Sequence, residues 1–331
     1  MELTGLSFEG KKLIVGVGSA LVDILVRESD GFIEKIGGEK GAMVLVEPGF
    51  IEKVLAQVTG DPIIVPGGSA CNTMIGIGKL GGASRFIGKC GKDDMGKMVV
   101  TDLEKNGVEP MIFTSPLPTG RVLSIVTPDA QRTMFTFLGA ASETTPQEIP
   151  EKCFENTAIV HIEGYLLHNR ELMLTALNRA KKAHARVSLD LASFTIVKES
   201  REFLKEIVSS YVDILIANED EARVFTGQAD ELRAVNALSP MAPLVVLKIG
   251  KRGSYISHNG QTMRILPMGN GEATDTTGAG DLWASGFLFG LVNGYSLEKS
   301  GELGSACGYE VCQNVGAYII EEGWKRIRQL L

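Results

Sequence analysis

The chain has 331 residues, 44% hydrophobic and 22% charged, enough to bury a large core in one α/β unit or two smaller ones. A formal net charge of −7 without any basic block excludes general nucleic-acid binding, so an anionic ligand must be held by local backbone and a few cations. The cysteines at 71, 90, 153, 307 and 312 lack a C-x-x-C and the four histidines lack ligand spacing, which excludes a disulfide framework and a zinc site.

Lys12-Leu-Ile-Val-Gly-Val-Gly18 predicts a central parallel strand ending in glycine. Gly16 and Gly18 invite a dinucleotide-binding reading, but Leu21 stands where the third glycine belongs. No catalytic His or Lys signature follows, so a nicotinamide-dependent dehydrogenase is the weaker reading. Asp23 is expected at the strand's carboxyl end, where open α/β sheets bind ligands. It either accepts hydrogen bonds from a vicinal diol or is a solvated loop carboxylate. Residues 24–46, with turn signals at Ser29-Asp-Gly31 and Gly37-Gly38, predict short strands away from the main sheet, and Pro48 to Val58 predicts a helix.

Ile63-Ile-Val65 predicts a strand leading into Pro66-Gly-Gly-Ser-Ala-Cys-Asn72 and a helix to Leu80. Gly67 and Gly68 permit close backbone approach to a ligand, and Asn72 offers hydroxyl groups both a donor and an acceptor. A tight turn with a capping Asn explains the same residues. Cys71 reads as a small buried filler. After a strand at Ser84–Gly88, Gly91-Lys-Asp-Asp-Met-Gly-Lys-Met98 nearly spells a Walker-type phosphate loop. Met98 stands where a hydroxyl must hold magnesium, and two aspartates lie where phosphates would, so an amphipathic helix over Asp94–Asn106 is predicted instead. Arg121–Thr127 and Arg132–Leu138 form a hairpin around a Pro128-Asp-Ala turn. With residues 24–46 it makes a small β-lid, and Arg132 is a candidate phosphate cation.

From Ala158 onward, strands at 158–162, 186–190, 212–216 and 244–249 alternate with helices at 169–183, 201–210, 219–226 and 230–238. That alternation predicts a doubly wound, mostly parallel α/β sheet flanked by helices. Asn218-Glu-Asp-Glu221 opens a helix; capping accounts for it, and the alternative is that Asn218 and Glu221 hold a hydrated magnesium ion through water. Lys248, Gly250 and Gly253 follow at the same edge. The polar loop Gly269-Asn-Gly-Glu-Ala273 then leads through Asp275-Thr-Thr-Gly-Ala-Gly-Asp281 into an apolar run ending at Leu291, which reads as the N-terminus of a buried helix. Unpaired amides and the helix dipole place roughly half a positive charge there, and Gly278 and Gly280 leave room for an anion. Asp281, in the first turn, either caps the helix or takes a proton from a hydroxyl while the amides hold charge on a transferring phosphoryl group. A closing helix from Leu297 to about Val315 should pack beside it.

Taken together and in this order, these motifs resemble the ribokinase-like (PfkB) sugar and nucleoside kinases over nearly the whole chain. Asp275 to Asp281 is similar to that family's C-terminal signature. Gly67-Gly68-Ser-Ala-Cys-Asn72 with Gly88-x-x-Gly91-x-Asp93-x-x-Gly96 is similar to its N-terminal one, and Asn218-Glu-Asp-Glu221 to its Asn-x-x-Glu magnesium motif. The resemblance implies an α/β core from residues 1–23, 47–108 and 141–331, with a β-lid of 24–46 and 109–140. It implies phosphoryl transfer from ATP to a primary hydroxyl, with Mg2+ and, as an open point, a monovalent cation. Asp281 would be the base, with Gly278, Ala279 and Gly280 as the anion hole. Asn218 and Glu221 would act on magnesium, and Asp23, Gly68 and Asn72 on the acceptor's hydroxyls. Arg132 would reach toward the transferring phosphate, and Lys248, Gly250, Gly253 and Thr276 would lie near the nucleotide.

Gly18-Ser-Ala-Leu-Val-Asp23-Ile, Lys40-Gly-Ala-Met43 and Gln131 to Ala141 are most similar to the adenosine-kinase branch. Adenosine or a related nucleoside is therefore the expected acceptor, with Tyr165 or Phe137 to stack on a purine. Ribose or fructose is the alternative, and a catalytically inactive ligand-binding member is the rival of another class. The expected partner is a small-molecule acceptor, with neither nucleic acid nor membrane, in a monomer or a homodimer paired through the lid. A polar N-terminus, reduced thiols and no apolar stretch of spanning length make a cytoplasmic protein the expectation.

Overall fold

The computed structural model describes residues 6–269 and 273–331, so the middle of the predicted loop at 269–273 lies outside the described residues. In chain order the strands are β1 (Leu13–Val17), β2 (Leu21–Arg27), β3 (Met43–Leu45), β4 (Ile63–Gly67), β5 (Ser84–Gly91), β6 (Val108–Ser115), β7 (Gly120–Val126) and β8 (Arg132–Phe137). They continue with β9 (Thr157–Glu163), β10 (Arg186–Asp190), β11 (Ile214–Asn218), β12 (Leu244–Lys248), β13 (Ser254–His258) and β14 (Gln261–Ile265). One sheet has the order β14-β13-β12-β11-β10-β9-β1-β5-β6, and a smaller one has the order β3-β8-β7-β2-β4. From β12 to β6 every neighbour is parallel; β13 and β14 extend the edge as antiparallel strands.

Alternation explains why helices cover both faces of the large sheet. Val15, Val160, Leu215 and Val245 enter one core, and their chain neighbours Ile14, Ile159, Ile214 and Leu244 enter the other. A strand buried on both sides must be mostly apolar along its length, as these are up to their polar carboxyl ends and a few hydrogen-bonded exceptions such as His161. The helix Ala279–Val292 is correspondingly buried at every position from Leu282 to Val292. Its small residues set its depth: a Cβ at Gly286 would lie 2.5 Å from the Leu303 carbonyl oxygen, and one at Gly76 would lie 2.3 Å from Ser285 Oγ. The first of these contacts seats it against the helix Leu297–Val311, as expected, although that helix stops at Val311 rather than near Val315.

Sheet membership differs from the sequence-based division at three places. Ile63–Gly67, grouped with the core, pairs antiparallel with β2 at the edge of the small sheet. Val108–Ser115 was largely grouped with the lid, but it pairs parallel with β5 as the edge of the large sheet, where Pro110 is tolerated. Asp23 lies inside β2 of the small sheet, opposite Val65, rather than in a loop at the end of β1. Within 24–46, Ser29-Asp-Gly31 starts a helix, Asp30–Lys35, because Ser29 Oγ accepts the Phe32 amide and Phe32 and Ile33 are buried. The predicted helix 48–58 is shorter, Phe50–Leu55. The Walker-like stretch is structural: Asp93 caps the helix Asp94–Lys105 through the Gly96 amide at 2.8 Å and also accepts the Thr119 amide at 2.8 Å.

Candidate active site

Parallel strands bring their carboxyl ends to one edge, and here four neighbours end in polar residues: Glu163 on β9, Asp190 on β10, Asn218 on β11 and Lys248 on β12. The helix Ala279–Val292 starts at the same edge, since a Cβ on Gly280 would lie 2.9 Å from Lys248 Nζ. Ligands of open α/β sheets gather at such an edge.

The loop before that helix is fixed from inside. Asp275 is fully buried; one oxygen accepts the Thr277 amide and hydroxyl at 2.9 and 2.7 Å, and the other accepts the Gly316 amide at 2.8 Å. Gly278 has φ +74° and its missing Cβ would collide with Ala317 at 2.5 Å, so only glycine fits. Asp281 follows, half-buried in the first helical turn. Its carboxylate accepts Ser69 Oγ at 2.8 Å and Asn72 Nδ2 at 3.0 Å, from the start of the helix Ser69–Lys79. Burial raises its pKa above the ordinary carboxylate value, against the lowering effects of Arg132, Asn72 and Ser69.

The helix that follows the Gly67-Gly68 turn therefore holds Asp281 through Ser69 and Asn72. Gly68 has φ +103°, and a Cβ there would lie 2.3 Å from the Ser19 carbonyl oxygen. A Cβ on Gly67 would lie 2.5 Å from the Asp23 carboxylate, so Asp23 stands beside this turn. Asp23 is 6% exposed, and burial pushes its pKa up to about 7 despite Arg132, with Asp281 and Asp275 adding to the rise. Arg132 lies in the field of all three carboxylates. Burial works against its charge, but Tyr165, Asp281, Asp23 and Asp275 together hold its pKa above the ordinary arginine value.

On the other side, Lys248 Nζ pairs with Asp190 at 2.7 Å, both well buried. Asn218 and Glu221 close a capping box: Glu221 accepts the Asn218 amide at 2.8 Å and its Nδ2 at 2.7 Å, and Asn218 Oδ1 accepts the Glu221 amide at 2.9 Å. Burial and the Asp190 charge push Glu221 up to about 8, while Lys248 lowers it. With both oxygens engaged and an ammonium nearby, this set does not fit a directly ligated divalent ion. Among the described residues no group of three His, Cys, Asp or Glu side chains is arranged to hold a metal. Gly253 owes its glycine to packing, since a Cβ would lie 2.1 Å from the Ile265 carbonyl oxygen, whereas Gly250 at φ +55° meets nothing closer than Glu219 at 3.8 Å. Thr276, expected near the nucleotide, donates its hydroxyl to the Ala130 carbonyl oxygen at 2.8 Å.

Three participants escaped the sequence reading. Ser69 holds Asp281, Asp190 holds Lys248, and Glu163, 1% exposed, accepts the Ser19 amide at 2.8 Å and the Ala70 amide at 3.0 Å. Glu163 thus ties the β1–β2 turn to the helix that carries Ser69 and Asn72. The legible signal is a carboxylate ending a strand of alternating aliphatic residues, in Val160-His-Ile-Glu163 and Val187-Ser-Leu-Asp190.

A buried helix opening on a carboxylate, a diglycine turn against it and cations on either side are the parts of a phosphoryl-transfer site. The profile of the pfkB family of carbohydrate kinases matches residues 38–322, and the chain belongs to that family. It is a kinase of the carbohydrate and nucleoside type. Among solved structures it is similar to a probable sugar kinase from Rhizobium etli CFN 42, at 29% identity and TM-score 0.93, covering 97% of this chain and 99% of the other. It is equally similar to the adenosine kinase from Sinorhizobium meliloti, at 30% identity and TM-score 0.92, covering 97% and 100%. An ATP-dependent 6-phosphofructokinase from Thermoanaerobacterium thermosaccharolyticum is 29% identical over 261 residues, 76% of this chain and 80% of the relative. The ribokinase-like α/β fold with a second, smaller sheet is thereby established. Among the described residues no helix is long and apolar enough to cross a membrane.

Proposed function

We propose that the chain transfers the terminal phosphoryl group of ATP to a primary hydroxyl of a nucleoside, adenosine or a close relative. The observation that carries this reading is the seat of Asp281: its carboxylate is gripped by Ser69 and Asn72 of the acceptor-side helix while it stands in the first turn of the anion-hole helix. Asp281 takes the hydroxyl proton as that oxygen bonds to phosphorus and the bond to the nucleotide's bridging oxygen breaks, leaving ADP. The amides of Gly278, Ala279 and Gly280 receive the charge spreading over the phosphoryl oxygens, with Lys248 beside Gly280 and Arg132 in the field of Asp281. A raised pKa makes Asp281 the stronger base, and Asn72 and Ser69 hold it in place.

Asp23, Gly68 and Asn72 would face the acceptor, with the small sheet as the lid over it. Magnesium, which kinases of this family are expected to use with ATP, would be reached by Asn218 and Glu221 only through water. Tyr165 is the better candidate to stack on a purine, because it is half-buried and in the field of Arg132 and Asp281. Phe137 is instead covered by Arg121, whose guanidinium lies 5.8 Å from its ring centre. A free-sugar acceptor is the second reading, favoured by the likeness to the probable sugar kinase and the phosphofructokinase. The test is ADP release from ATP with adenosine, inosine, guanosine, ribose and fructose in turn. Adenosine or another nucleoside should give the highest kcat/KM; preference for a sugar would overturn the nucleoside assignment.

A further inference from the structure

The β7–β8 turn is closed by its own hydrogen bonds. Thr127 Oγ1 donates to Asp129 at 2.6 Å, the Ala130 amide donates to the Thr127 carbonyl at 2.8 Å, and the Thr127 amide donates to the Gln131 carbonyl at 2.9 Å. At the surface Lys40 bridges Asp129 and Asp30 at 2.8 and 2.9 Å, linking the turn to the helix Asp30–Lys35 that packs on the small sheet. Ala130 is buried and held at φ +63°, a conformation that a non-glycine residue adopts only when its surroundings impose it. Its carbonyl oxygen receives the Thr276 hydroxyl at 2.8 Å, from the loop that Asp275 locks and that ends in Asp281. Arg132 begins β8 two residues beyond Ala130.

We infer that Thr276 is a positioning residue: its hydroxyl clamps the β7–β8 turn to the anion-hole loop, so that Arg132 is aimed at the phosphoryl group only when the small sheet is seated. The single hydroxyl proton is spent on Ala130, so it cannot also be donated to a nucleotide in this arrangement. The chemistry recognised is internal, a hydroxyl on one element and a peptide carbonyl on another. As a role in turnover it rests on the phosphoryl-transfer reading above; as a clamp it does not.

Thr276→Val keeps the shape and removes the donor; Thr276→Ser keeps the donor. Hydrogen–deuterium exchange on the full chain without ligands should show amides of 127–132 exchanging about fivefold faster in T276V, the order expected for one lost hydrogen bond, and near the wild-type rate in T276S. With ATP and the best acceptor, T276V should lower kcat by roughly tenfold with the ATP KM within about twofold. The same change made on Arg132→Ala should add much less, because the two act as one unit. Unchanged exchange in T276V, or a raised ATP KM with full kcat, would overturn the clamp. A wild-type chain that transfers no phosphoryl group would sink the functional reading, while the exchange experiment would still decide the clamp.

Discussion

Glu163→Gln is the perturbation whose size the structure sets most clearly. The carboxylate is 1% exposed, and burial pushes its pKa from an ordinary 4.5 up to about 7, even though the Ala70 and Ser19 amides pull the other way. A folded-state pKa above the unfolded one means that the native protein holds this proton more tightly. The stability it contributes is fully present below pH 4.5 and is lost as pH rises through 7. That displacement corresponds to about 3 kcal/mol at pH 8. Glutamine stays neutral throughout, so it removes this loss. It also turns one amide donor against another, at a cost of roughly 1–3 kcal/mol at every pH. Urea unfolding at pH 5 and pH 8 separates the two effects. Asp23 and Glu221 titrate with the same sign and remain in both proteins, so wild type should lose more stability than E163Q between the two pH values, by roughly 2–3 kcal/mol. Equal losses in the two proteins would refute the claim that burial raises the Glu163 pKa.

Asp23→Ala should raise the acceptor KM by roughly 10- to 100-fold, the range for losing charged hydrogen bonds, and leave the ATP KM nearly unchanged in steady-state assays. Lys248→Met should cost about 3–5 kcal/mol in denaturant unfolding, because Asp190 is left buried without its partner at 2.7 Å; a double change that also neutralises Asp190 should recover part of it. Gly68→Ala should lower the melting temperature and weaken acceptor binding, since φ +103° and a carbonyl 2.3 Å from the new Cβ leave it no place; an unaltered melting curve would argue against the turn geometry.

Much of the architecture could be read from the chain. Arg186–Asp190 and Glu219–Thr226 fall where the apolar periodicity puts them, and both glycine-rich junctions lead into helices. Period and capping are local, so sequence carries them. Partnership across the chain is not local. Ile63–Gly67 reads as a strand in any sheet, and only its pairing with β2 decides which. Asp23 looked like a loop carboxylate because nothing nearby says that β2 belongs to the small sheet. Glu163 meets amides 144 and 93 residues away, and Asp190 meets an ammonium 58 residues away, separations at which composition says nothing. Nor does the motif around Thr276 say that folding hands its hydroxyl to a turn 146 residues earlier.

Everything functional here depends on Asp281 acting as the proton acceptor at the mouth of its helix. The direct test is single-turnover phosphoryl transfer by Asp281→Asn, with ATP affinity measured on the same preparation by calorimetry. The account predicts a rate at least about 1,000-fold below wild type with ATP affinity within about threefold; transfer at the wild-type rate would contradict it.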